Sequence, residues 1–102
     1  MIVVFTTAPT ELEAGNLAKK IVGAKLAACV QILPKIESYY FWEDEIKKEP
    51  EHLMLIKTIE GKFDELEKFI VENHSYEIPE VVAVKAERIS SDYLDWVNDY
   101  LR

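Results

Sequence analysis

Long apolar runs are missing from this sequence: no stretch of 18 apolar residues occurs, so no membrane-spanning helix is expected. The opening MIVVFTTAPT has neither a basic leader nor an apolar segment with a cleavage site, and it already alternates like a strand. A cytoplasmic protein is therefore expected. Cysteine is almost absent, and Cys29 alone forms neither an internal disulfide nor a CxxC zinc pair. Three glycines supply no GxGxxG and no phosphate-binding loop. Basic clusters are lacking as well: 12 Lys and Arg stand against 19 Asp and Glu, a net charge of −7. The pairs Lys19-Lys20 and Lys47-Lys48 sit among acids, so a nucleic-acid partner is disfavoured, because phosphate backbones demand clustered cations.

What is present suffices for a core. Of 102 residues, 49% are hydrophobic, and a chain of this mass buries about 65% of its unfolded surface. One domain over residues 1–102 is expected. Lys and Glu are plentiful while Asn, Gln, Cys and Met are few, a bias of heat-stable proteins, so thermostability is expected.

Residues 2–7, IVVFTT, suit a buried strand. Thr10 and Glu13 fit a capping box, and Ala14, Leu17, Ala18, Ile21 and Val22 at helical spacing predict a helix over about 11–24. AACVQILPKIESYYFW is extended and interrupted by Pro34, which marks a bend, bulge or edge. EDEIKKEPE reads as a charged turn region and HLMLIKT as the returning strand of one long hairpin. A second helix opens near Gly61 with the stripe Phe63, Leu66, Phe69, Ile70; the Pro79 loop leads to the strand VVAVKAERI. Ser90 or Ser91 caps a last helix carrying Tyr93, Leu94, Val97, Tyr100 and Leu101. The order β-α-β-β-α-β-α predicts an α+β fold: a ferredoxin-like split β-α-β-β-α-β with an extra C-terminal helix, an antiparallel sheet and a long central hairpin.

That hairpin does not suit a lone chain. IESYYFW alone adds about 23 Å beyond Pro34. Ile36, Tyr40 and Trp42 point to one face, Tyr39 and Phe41 to the other. Two short helices cover one sheet face only, and an uncovered aromatic ribbon invites aggregation. A homo-oligomer of closed symmetry is expected, with Tyr39, Tyr40, Phe41 and Trp42 as interface residues.

LAACVQILP (26–34), SYYFWEDEI (38–46), LIKT (55–58), HSYEIPE (74–80) and YLDWV (93–97), with TTAP near the start, resemble in order the CutA family of divalent-cation tolerance proteins. The resemblance implies a ferredoxin-like subunit in a homotrimer with crossing hairpins. It also implies binding of copper or related divalent ions, a role in tolerating them, and a likeness to PII-type signalling trimers. Some bacterial members have copper ligands assigned at a cysteine ending the first strand and at two adjacent histidines. Thr6 and Asn73-His74 occupy those places here, so His74 alone of that set is retained.

His74 is thus the one candidate metal ligand, with Glu77 and Glu80 three and six residues on; imidazole suits copper or zinc. The alternative is that its ring fixes the turn before Pro79. A weak copper or other divalent site and no organic cofactor are expected. Cys29 reads as a small buried hydrophobe, His52 as solvated decoration, and Tyr76 and Glu80 as turn residues. Lys57 and Lys85 interrupt apolar strands and pair with Glu87 or Glu37, or else join Glu80 in an inter-subunit cleft for a small anion. No nucleophile–base set is visible. The expected function is a non-enzymatic homotrimer for divalent-cation tolerance; the alternative is a PII-like adaptor holding an anion.

Overall fold

The computed structural model describes all residues, Met1–Arg102. β-branched and aromatic residues build β1 (Ile2–Ala8), and Pro9 ends it. Thr10, extended at φ −134°, caps α1 (Glu11–Gly23) by accepting from the Glu13 amide at 3.1 Å. Lys25 takes a left-handed φ of 57° after the helix, and the amides of Lys25 and Leu26 turn back to Val22 and Ile21. This is the residue place that glycine usually fills. β2 (Cys29–Trp42) and β3 (Glu45–Thr58) follow, each 14 residues long. A short 3-10 turn over Glu60–Lys62 leads into α2 (Phe63–Asn73). β4 (Val82–Lys85) and α3 (Ser91–Leu101) complete the chain.

The strands lie in the order β2-β3-β1-β4, and every pairing is antiparallel. Period 2 divides the residues between two faces. Ile2, Val4, Thr6, Ala8, Met54 and Ile56 face α1 and α2, where they meet Ala14, Leu17, Ile21, Leu66 and Ile70. At about 1.5–3 kcal/mol for each large side chain removed from water, this layer supplies most of the driving force. α3 packs a smaller cluster, Val97 and Leu101 against Ala28.

The opposite face has no helix over it. Register puts Val3, Phe5, Thr7, Leu53, Leu55, Val82 and Val84 there, and Val82 and Val84 are exposed. The hairpin runs beyond β1, which ends at the Ala8–His52 pair, and stretches the protomer to 45 × 25 × 22 Å.

Four local expectations change. The charged residues 45–51 are strand, and the turn is only Glu43-Asp44, both with positive φ (50° and 65°). That is the two-residue turn whose twist matches a hairpin, made here without glycine. β4 has four residues because Lys85 already pairs with Ile2 at the start of β1, and the Ala86 amide then closes on the Met1 carbonyl. Ser90 occupies the cap of α3 without a side-chain hydrogen bond. Glu13 does not reach back to its own cap; it bonds Ser75 instead. Pro34 does mark a bulge: register slips between Leu33 and Ile36, with Lys35 at φ 46°.

Candidate functional site

β4 pairs with β1 only as far as Phe5. The last residues of β1 therefore lack a strand neighbour on that side, and the 74–80 loop takes its place. His74 Nε2 lies 2.6 Å from the Thr7 carbonyl, which only accepts, so the ring proton is on Nε2. The Nδ1 lone pair then accepts the Tyr76 amide at 3.0 Å. Glu13 Oε2, on α1, accepts both the amide and the hydroxyl of Ser75, at 3.1 and 3.0 Å. Tyr76 donates its hydroxyl to Glu51 Oε2 at 2.7 Å. The loop is thereby tied to β1, α1 and β3.

This geometry answers the metal question at His74. Its side chain is 0% exposed and both ring nitrogens are occupied by backbone groups, so no lone pair is free for an ion. Thr6, at the place of the bacterial cysteine, is fully buried with an unpartnered hydroxyl, a poor copper donor. Nowhere do three His, Cys, Asp or Glu side chains come close enough to share an ion. A resident copper does not fit the residues of the single chain; of the two roles the sequence offered His74, ligand or ring that fixes the turn, its bonds here are those of the second.

The loop, the base of the hairpin and the tip of β1 enclose a cleft of about 690 Å³ on the uncovered face. Its acids are Glu51, Glu77 and Glu80; its rings are Tyr39, Tyr40, Trp42 and Tyr76. No lysine or arginine lines it. Glu51 is only 7% exposed, and no cation of the chain lies within 4 Å of it. Partial desolvation, then the neighbouring Glu51 charge, pushes the Glu80 carboxyl above its ordinary value. Desolvation followed by the Glu51 hydrogen bond pushes the Tyr76 hydroxyl far up, which keeps it a donor.

The lysines expected beside Glu80 stand elsewhere. Lys57 shares a face with Glu51 but lies six residues along β3, about 20 Å away. Its Nζ sits 5.5 Å over the Tyr93 ring rather than on Glu87 or Glu37. Lys85 pairs with Ile2 at the far end of the sheet, on the helix-facing side, and is exposed. Glu37 is bonded by Lys48 at 2.8 Å. Within one chain Lys57, Lys85 and Glu80 therefore form no common cleft. Cys29 is half-buried, opposite Lys57. His52 is not freely solvated: its Nδ1 is enclosed without a partner. Tyr39, Tyr40, Phe41 and Trp42 are 67%, 41%, 69% and 36% exposed, the uncovered ribbon that the pattern predicts.

Glu51 and Glu13 carry the loop; the sequence did not single out Glu51, and it offered Glu13 only as a capping-box residue. A signal for Glu51 existed: extending the alternation Leu55, Leu53 back by two residues lands on it. The role of Glu13 in the loop had none, because its partner lies 62 residues away.

The family model described as CutA1 divalent ion tolerance protein matches residues 2–100. The chain is 41% identical over 101 residues to a chloroplastic CutA 1 of Oryza sativa, covering 99% of this chain and 57% of that protein. It thus spans little more than half the length of that relative. With a divalent-cation tolerance protein CutA of Yersinia pestis it shares 40% over 97 residues, 95% of this chain and 82% of the other. The solved structure of a periplasmic divalent cation tolerance protein CutA from Archaeoglobus fulgidus superposes at a TM-score of 0.96, with 37% identity over 100% of both chains. The ferredoxin-like α+β expectation is met. The cytoplasmic expectation is corrected: the archaeal relative is described as periplasmic and the rice one as chloroplastic. A folded acidic domain suits several compartments, so composition does not assign one.

Proposed function

The chain belongs to the CutA1 divalent ion tolerance family, and from that premise we propose that it acts as a non-enzymatic homotrimer in divalent-cation tolerance. The observation that carries the assembly is the bare sheet face. Val82 and Val84 on β4 are half exposed there, Tyr40 and Trp42 of the hairpin lie on the same face at 41% and 36% exposure, and Tyr39, Phe41 and Ile46 leave the hairpin's other face bare as well. Apolar surface of this extent is covered in a stable protein, and cyclic association of identical chains covers it without leaving open ends. Copper is the ion that the family resemblance favours, yet no nitrogen or sulfur set for it exists within one protomer. Any direct binding is therefore weak, or draws donors from more than one copy.

Sedimentation equilibrium over a hundredfold dilution, together with titration of copper, zinc and manganese, tests the reading. The expected mass is three times the 11.8 kDa of the protomer, with divalent ions bound to the assembled form. A folded monomer at every concentration would sink the trimer. Absence of any divalent binding at millimolar concentration would limit the role to an indirect one.

A further inference from the structure

We draw no further inference here: the strongest candidate, the acidic cleft between the 74–80 loop and the base of the hairpin, lies on the sheet face that sister copies cover in the proposed trimer, and nothing in the structure shows what occupies it there.

Discussion

Replacing His74 by Ala separates a turn-fixing ring from a metal ligand. The substitution removes a side chain that is 0% exposed and orphans two backbone groups, the Thr7 carbonyl and the Tyr76 amide. Each group left unsatisfied costs about 1–3 kcal/mol. The vacated ring volume adds a cavity penalty, which for large buried side chains brings losses into the range of about 2–5 kcal/mol. A total near 4 kcal/mol is expected. Against the usual stability of about 5–15 kcal/mol, that is a severe loss. The assay is urea unfolding at one fixed protomer concentration, since association shifts apparent stability by mass action. With a slope of about 1–3 kcal/mol per molar urea, the midpoint falls by about 1.5–4 M. Copper affinity per folded molecule stays as in the parent. A loss below about 1 kcal/mol accompanied by abolished copper binding would refute the reasoning and return His74 to the role of ligand.

Three further substitutions probe the same account. Asp44→Gly relieves a left-handed residue at φ 65° in the hairpin turn and raises stability by about 0.5–1 kcal/mol in the same urea assay. Tyr76→Phe removes the hydroxyl bonded to Glu51 at 2.7 Å; a charged acceptor makes such a bond worth about 1.5–3 kcal/mol, and the midpoint falls accordingly. Glu80→Gln tests the pH dependence. The folded state holds the Glu80 proton more tightly than the unfolded chain, whose carboxyl keeps the ordinary value of 4.5. Stability from this group therefore rises as pH falls through the raised folded value, and it changes no further below 4.5, where both states are protonated. Glu51 and Tyr76 face Glu80 across the cleft, while Glu77 also lines it, and all stay in place in the variant. Unfolding free energies between pH 4 and 8 show that step in the parent and lack it in Glu80→Gln, which is the more stable protein at pH 7. A step of equal size in both would assign it to another acid.

Periodicity made the helices legible because their partners are close in sequence. Leu66 and Ile70 are both buried as the stripe requires, with Phe63 and Phe69 packed at its flanks, and Val97 with Leu101 does the same in α3. The Pro34 bulge was legible too, since a missing amide must fall where the ladder is irregular. The hairpin turn was not. Turn prediction leans on glycine and asparagine, and Glu43-Asp44 adopts the left-handed pair without either. Residues 45–51 read as loop for the related reason that charge imitates a turn, while a strand exposed on a projecting ribbon tolerates it. The length of β4 depends on where β1 starts, 80 residues earlier, which no local window contains.

The site shows the same division between local chemistry and distant partners. A rare histidine before a proline attracts a functional reading because imidazole binds metals, and the family resemblance strengthens it. Yet what decides is whether the group's hydrogen-bonding capacity is already used. His74 has two nitrogens and two backbone partners, and nothing remains to offer. Glu51 is one of many glutamates and draws no notice, but at 7% exposure it accepts the Tyr76 hydroxyl and so ties the loop to β3. A buried polar group bonded by a distant partner stabilises the fold, and no local window of the sequence contains both. By that criterion the 74–80 loop is held jointly by its histidine and by the acid it covers. The loop's remaining bonds, from Ser75 to Glu13 and from Tyr76 to Glu51, serve to hold the wall of that acid's cleft in position.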